Sequence, residues 1–460
     1  MKESAGRLLI IVQNLPVPFD RRVWLEAVTL RNHGIRVSVI CPKSKEYPKS
    51  YEVIDSVAIY RYRMPIEASG TIGYVFEFAY AWLRTAWLSL KVWAREGFDV
   101  IQACNPPDTY WLLAGFYRLF GKKFVFDHHD LAPEMFDVKY RGKYRLLKRM
   151  LLALERMTFK TAKIVLCTND SYRRVAILRG RRDPEDVYVV RTGPDLRRLQ
   201  PVEPAPELKN GRRFLVCYLG EMCPQDGVDL LLQAVDHYVR ELGRRDTQFT
   251  LIGGGPAMPA MKRLAEKMAL DEWVHFTGRV TDQELCRILS TADVCVDPDP
   301  WSPWANSSTM NKILEYMAFG KPIVAFDLEE HRRSAERAAV YVRPNDVRRF
   351  AQSIADLLDQ PELRRFMGRY GYERVRNRLA WQHTQKALLA AYYRLFPNMM
   401  SSEAAELNVL DWLFEKIQNE AIEELIVSHQ SKLICVPADH PESLVHTAKL
   451  LLTADVHEGV

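Results

Sequence analysis

Short apolar runs alternate along this chain with stretches whose apolar residues recur every three or four positions. Leu8–Val12, Val37–Cys41, Asp99–Gln102, Phe124–Phe126, Lys163–Thr168 and Val187–Arg191 read as strands. Val23–His33 carries a helical stripe that stops at Gly34. Strand, loop, helix, glycine and strand in that order make the βαβ rhythm of a parallel sheet. Ligands of such sheets lie beyond the strand C-termini, where the loop Asn14–Arg22 falls. Residues 201–211 are Pro-rich and without periodicity, and read as a linker. The rhythm then restarts, with strands at Phe214–Leu219, Phe249–Ile252, Val274–Phe276 and Val294–Val296 and helices at Val228–Leu242 and Ala257–Met268. Two successive α/β domains, 1–200 and 212–380, are expected, with the cleft between them as the ligand site.

The stretch Ser307–Asp327 carries the most chemistry. Small hydroxyl residues at its start suit a helix N-cap; a stripe of Met310, Ile313, Leu314 and Met317 follows, and Gly320 ends it before the apolar run Ile323–Phe326. A helix N-terminus with Ser308, Thr309 and Lys312 beside it suits a phosphate, and Glu315, a turn further in, suits a ribose. An ordinary helix-to-strand unit with a solvated Glu315 fits this segment equally well. At the end of Phe124–Phe126, the run Asp127–Glu134 places His129 and Asp130 well for chemistry. With no third ligand in sequence, no metal is expected there.

Two helical segments point to a surface. Residues 74–95 are strongly aromatic, and Glu77, Arg84 and Lys91 form one narrow polar stripe at seven-residue spacing. Glu77, Arg84 and Lys91 within it make the segment a poor membrane span; it fits either a crossover helix packed on the sheet or an interfacial helix offering Trp to a bilayer. Residues 139–163 hold nine Lys/Arg and one acid, Glu155, and are expected to form one basic amphipathic helix. That pattern fits either an anionic membrane surface or a solvated charged face. No nucleic-acid-binding module surrounds it, so no nucleic-acid partner is expected.

Charge sharpens this picture. The formal net charge is +6, but beyond residue 400 three Lys/Arg stand against eleven Asp/Glu, so the first 400 residues carry +14. A basic body implies an anionic ligand or surface. The eight cysteines are scattered with no paired CxxC spacing, which implies reduced thiols of a cytoplasmic protein and excludes a disulfide framework or a zinc ribbon. Leu8–Val12 is too short for a secretory leader. No chemistry is visible in the acidic tail, residues 397–460, where Ala404–His429 and Leu433–Leu452 show helix and strand-helix patterns.

Asn14–Arg22, His129-Asp130 with Pro133-Glu134, Tyr218-Leu-Gly220 with Gly227-Val-Asp-Leu, Gly253–Pro256, Phe276–Gly278 and Ser308–Asp327 together resemble the family 4 glycosyltransferases over about residues 7–396. The resemblance implies the GT-B fold: two Rossmann-like domains facing each other across a cleft, with residues 381–396 as a helix returning to the N-terminal domain. It implies a retaining transfer of sugar from a nucleoside diphosphate to an acceptor hydroxyl, without a required cofactor. Surface-polysaccharide chemistry would put the acceptor on a lipid-linked or membrane-associated glycan and the protein at the inner membrane face. By position, Glu315 would bind the donor ribose. Ser308, Thr309, Asn311 and Lys312 would lie near the diphosphate, and Gly278, Arg279 and Val280 near the base. Gly254 would belong to the donor loop, His129 would approach the donor sugar with Asp130 beside it, and Asn14, Arg21 and Arg22 would face donor phosphate and acceptor.

Two departures stand out. The first glutamate of the family's paired-glutamate pattern falls at Ser307, and the Arg and Lys that neutralise the leaving diphosphate fall at Glu221 and Asp226. Carboxylates beside a diphosphate repel it. Three outcomes stay open: Lys312 with Arg21 or Arg22 and a helix dipole holds the diphosphate; Mg²⁺ bridges Glu221 and Asp226 to it; or activity is lost, leaving a nucleotide-sugar-binding or assembly protein.

Overall fold

The structure, a computed structural model, describes residues 6–64 and 70–396; the acidic tail lies outside them. Its strands are β1 (Arg7–Ile11), β2 (Arg36–Pro42), β3 (Tyr51–Ile54), β4 (Val57–Tyr62), β5 (Val100–Cys104), β6 (Lys123–His128), β7 (Ile164–Cys167), β8 (Val187–Val189), β9 (Phe214–Leu219), β10 (Thr247–Ile252), β11 (Val274–Gly278), β12 (Val294–Asp297), β13 (Ile323–Phe326) and β14 (Ala339–Val342). The first eight form one sheet in the order β3-β4-β2-β1-β5-β6-β7-β8, and the last six another, β11-β10-β9-β12-β13-β14. All pairings are parallel except β3 with β4. The central strands β1, β5, β9 and β12 are apolar and buried because helices cover both faces.

In each sheet the strand order reverses once, between β1 and β5 and between β9 and β12. Loops leaving adjacent strands in opposite directions open a crevice at such points. Gln13–Asp20 and Asn105–Asp108 flank the first, and Glu221–Asp226 and Pro298–Trp301 the second. The chemistry-bearing loops thus gather at the two switch points.

The chain crosses between the domains twice. Gly193 lies against the second crossing, where an added Cβ would come within 2.1 Å of the Leu379 carbonyl oxygen. The Trp381–Leu395 helix then packs on the first sheet. Its Trp381 indole donates to the Thr29 hydroxyl and its Tyr392 hydroxyl to the Gln102 side chain. Residues 201–211 are tied down along the second domain: Val202 and Ala205 N–H groups donate to Ser290 and Thr291, and Lys209 pairs with Asp293.

Three local readings need correction. The basic segment 139–163 is two helices, Ala132–Tyr140 and Arg145–Thr161, because Arg141, Gly142 and Tyr144 take left-handed backbone conformations between them. Ser307–Thr309 does not cap the following helix: Asn311–Ala318 begins after Met310 with no side-chain cap, and Ser302 caps a separate short helix, Pro303–Ser307. The β3–β4 hairpin was not anticipated. Its Asp55-Ser56 turn has φ of 45° and 59°, a two-residue hairpin turn made without the Asn-Gly or Asp-Gly signature.

Candidate active site

Glycines bring the C-terminal ends of β9, β10 and β11 close together. Gly253 has φ +125°, and an added Cβ would sit 1.9 Å from the Gly220 carbonyl oxygen. The Met222 N–H donates to the Gly254 oxygen at 2.6 Å, and Gly253 bridges to Gly278, whose φ is +71°. Backbone alone forms this floor, with the Arg279 side chain above Gly254. Gly253→Ala is expected to lower the melting temperature by several degrees, because strain of about 1–3 kcal/mol comes with a backbone collision. Gly211→Ala is the control, with a positive φ of +73° but open space around it; a thermal melt showing equal shifts would remove the close approach as the cause.

Beside that floor lies a buried charge cluster. The Lys312 ammonium is 3.1 Å from Asp297 Oδ1 and 2.9 Å from Asp299 Oδ1, and 5.0 Å from the centre of the Tyr218 ring. Burial opposes its charge, yet the two carboxylates outweigh it and hold the Lys312 pKa well above the ordinary value. Burial and the neighbouring Asp297 push Asp299 well up. Asp226 accepts the Cys223 N–H at 2.8 Å, and burial raises its pKa although Lys312 partly offsets this. His331 donates through Nδ1 to the Phe326 carbonyl, leaving Nε2 without a hydrogen-bond partner 3.4 Å from the equally unpartnered Asp297 Oδ2. Sequence reading missed Asp297, Asp299 and His331. Acids at the C-terminal end of a strand beside a switch point were the available signal.

Glu315 lies apart from this cluster, in a recess of 170 Å³ with Asn311, Arg21, Trp24 and Arg198. Burial raises its pKa and Arg198, 3.6 Å away, partly offsets the rise. The two remaining donor-side hydroxyls face the N-terminal domain. Ser308 is buried between the Tyr172 hydroxyl, at 2.9 Å, and the Trp304 carbonyl. Thr309 accepts from Asn169 and contacts Glu330, and the Ser307 carbonyl also accepts from Asn169.

On the N-terminal side, Arg22 is buried and forks onto Asp127, at 2.7 Å and 3.1 Å, while also reaching Glu26 and the Val190 carbonyl. His129 Nδ1 is 3.4 Å from Asp127 Oδ2. Burial opposes the imidazolium, but Asp127 outweighs it and raises the His129 pKa. Asn105, missed in the sequence, positions this loop: its Oδ1 accepts from the His129 and Asp130 N–H groups and its Nδ2 donates to the Asp130 carbonyl. Asp130 accepts the Trp304 indole N–H at 3.0 Å, so it ties the two domains together. Asp127 and Cys104 give His129 the neighbours that sequence alone did not supply. Arg22 already neutralises Asp127 and burial keeps the Cys104 thiol protonated, which does not suit a metal.

The expected cations are therefore spoken for. Lys312 belongs to Asp297 and Asp299, Arg22 to Asp127, and Arg21 to Asp282 at 3.2 Å in an exposed pair. Arg279 stacks over Phe19 at 5.2 Å across the domains. Asn14 is exposed, Val280 packs at the edge of the second core, and Glu221 is exposed with its carbonyl accepting the Tyr218 hydroxyl.

Residues 20–198 match the family described as Glycosyltransferase Family 4, and residues 213–360 match Glycosyl transferases group 1. The chain belongs to the family 4 glycosyltransferases. It is 29% identical over 157 residues to an alpha-D-kanosaminyltransferase of Streptomyces kanamyceticus, covering 34% of this chain and 39% of that one. It is 29% identical over 213 residues to the MMP alpha-(1->4)-mannosyltransferase of Mycolicibacterium hassiacum, covering 45% and 48%. The matched region spans about half the length of these relatives. The fold is that of sucrose-phosphate synthase from Thermosynechococcus elongatus, with TM-score 0.70 at 19% identity over 85% of this chain and 99% of that one. Anabaena HepE in complex with UDP-glucose gives TM-score 0.62 at 14% identity, over 84% and 99%. GT-B architecture follows from these likenesses and from the two parallel sheets.

Proposed function

We propose that the chain transfers a sugar from a nucleoside diphosphate to an acceptor hydroxyl with the anomeric configuration retained. The carrying observation is the glycine floor of the second domain, with Glu315 and Lys312 on its helix and the His129 loop joined to the same cleft through Asp130 and Trp304. In this reading Glu315 holds the ribose, the backbone of residues 278–280 meets the base, and His129, whose pKa Asp127 raises, donates toward the donor sugar. A leaving diphosphate oxygen then takes the acceptor proton, so the protein positions groups and stabilises charge. Isothermal titration with UDP-, GDP- and ADP-sugars tests this. One donor binds on this reading, and binding by none of them, with or without Mg²⁺, contradicts it. A Mg²⁺-dependent gain in affinity that disappears in Asp226→Asn is the result expected if a divalent cation links Glu221 and Asp226 to the diphosphate.

The second reading is a nucleotide-sugar binder without transfer, favoured by the carboxylates Glu221, Asp226, Asp297 and Asp299 at the switch point. Donor binding without release of nucleoside diphosphate is its signature.

An anionic lipid surface is the occupant best suited to the outer face of the N-terminal domain. The Gly70–Arg95 helix buries Ala81, Leu88 and Val92 but exposes Leu83, Trp87 and Leu90, with Arg84 and Lys91 flanking the Trp87 ring. Phe116, Leu119 and Phe120 are exposed beside Trp93 of the same helix. On Arg145–Thr161, Leu146 and Met150 are exposed among outward Arg145, Arg149 and Arg156, while its one acid, Glu155, is buried against Arg179. Apolar residues ringed by cations match an anionic bilayer surface. Among the described residues no helix is long and apolar enough to cross a membrane. Cosedimentation with phosphatidylglycerol vesicles, and not with phosphatidylcholine, is expected. Arg145→Ala with Arg149→Ala should weaken it about tenfold to thirtyfold, at about 1 kcal/mol per cation; equal binding to both lipids would exclude the surface.

A further inference from the structure

A cavity of 1180 Å³ opens beside the first switch point, between the β1 loop, the segment after β2, the end of β4 and the Gly70–Arg95 helix. Four cations line it: Lys43, Lys45, Arg63 and, from the second domain, Arg279. Two acids, Glu46 and Glu77, stand against them. Among the described residues none of the four cations has an ion-pair partner. Most other arginines around the cleft, such as Arg21, Arg22, Arg61 and Arg198, are matched with carboxylates.

The register makes the excess deliberate. β2 and β4 run parallel with Cys41 beside Arg61 and Pro42 beside Tyr62. The Lys43 N–H donates to the Tyr62 carbonyl at 2.8 Å, carrying the ladder one step on and putting Lys43 next to Arg63. Neighbouring like charges on adjacent strands destabilise a sheet unless an anion sits between them. Two steps back, the cation at Arg61 is neutralised by Glu52 at 3.0 Å. Among the described residues no carboxylate pairs with Lys43 or Arg63 in this way. The same cavity is walled by Phe78 of the Gly70–Arg95 helix, whose outer face carries the exposed Leu83, Trp87 and Leu90.

We propose that this cavity binds a phosphate or diphosphate group of the acceptor, with Lys43 and Arg63 as its principal ligands and Lys45 and Arg279 at its rim, and with an apolar tail leaving along the Gly70–Arg95 helix. The inference rests on the transferase reading and names its acceptor class: a lipid phosphate or diphosphate ester bearing the hydroxyl to be glycosylated. Arg63 offers planar, two-pronged recognition and Lys43 a compact charge, a combination suited to phosphate oxygens. Arg279 contributes from the opposite domain, which would couple acceptor arrival to the nucleotide side of the cleft.

The test uses the full chain and four probes: farnesyl diphosphate, farnesol, inorganic pyrophosphate and phosphatidylglycerol vesicles, with binding read by calorimetry. Farnesyl diphosphate is expected to bind more tightly than farnesol or pyrophosphate alone, and to persist with UDP or GDP at saturation. Lys43→Ala with Arg63→Ala should weaken it about a hundredfold, and Lys45→Ala, on an exposed loop, about tenfold at most. Vesicle and nucleotide binding should both stay unchanged in these variants. The proposal is overturned if farnesol binds as well as farnesyl diphosphate, if UDP or GDP displaces the probe, or if the double variant binds it normally. Loss of nucleotide binding by the unaltered chain would instead contradict the transferase reading, and the two failures are thereby separate.

Discussion

Arg22→Ala should destabilise the protein by about 3–5 kcal/mol, because it leaves Asp127 and Glu26 buried without their cation. Arg22 and Glu26 are almost completely enclosed, and the Arg22 guanidinium also serves the Val190 carbonyl and the Thr192 hydroxyl. Burial raises the Glu26 pKa even with Arg22 present, so removing the cation drives this carboxyl further toward its neutral form. Urea denaturation measures the loss. Arg21→Ala is the comparison, since its exposed pair with Asp282 is worth about 0–1 kcal/mol. A similar small loss in both variants would mean that Arg22 is not the buried anchor of the first switch point. The same substitution should slow transfer indirectly, because Asp127 positions His129.

Lys312→Ala carries the second large expectation. It strips Asp297 and Asp299 of their ammonium in a site with almost no solvent, and a loss of about 3–5 kcal/mol follows. The triple variant Lys312→Ala, Asp297→Asn, Asp299→Asn should recover most of that stability, because neutral amides leave no buried charge. Donor affinity should not recover. A triple variant that binds donor like the unaltered chain would make Lys312 a structural residue only. This contrast matters because the fold withdraws Lys312 from the simple role that sequence position gives it. The ammonium is already bound to two carboxylates, so holding a diphosphate requires Lys312 to share itself between them and the phosphate oxygens.

Much of the architecture was legible because buried parallel strands write a continuous apolar signal. Phe214–Leu219 was found to the residue, and the Gly34 and Gly320 helix ends were marked by the residue that tolerates positive φ. Segments whose structure depends on contacts distant in sequence were not legible. Ser308 and Thr309 look like a helix cap, but Tyr172 and Asn169 claim them from 136 and 140 residues away. Gly142 did signal the break in the basic segment; the strong periodicity of Arg145–Thr161 after it obscured it. In the site, His129 and Glu315 stood out by motif, while Asn105 acts through backbone groups and leaves no such signature. The pairing of Lys312 with Asp297 and Asp299 joins residues 13 to 15 positions apart through strand, loop and helix, and only the fold brings them together.

The most direct measurement is release of nucleoside diphosphate from a saturating donor, with water taking the sugar in place of the acceptor hydroxyl, by the unaltered chain and by His129→Ala. Transfer in this cleft predicts measurable release by the former and a loss of about 10²–10⁴ in the variant, the usual weight of a positioned proton donor, with donor affinity little changed. Release at the same rate by both proteins, or by neither although donor is bound, would contradict it.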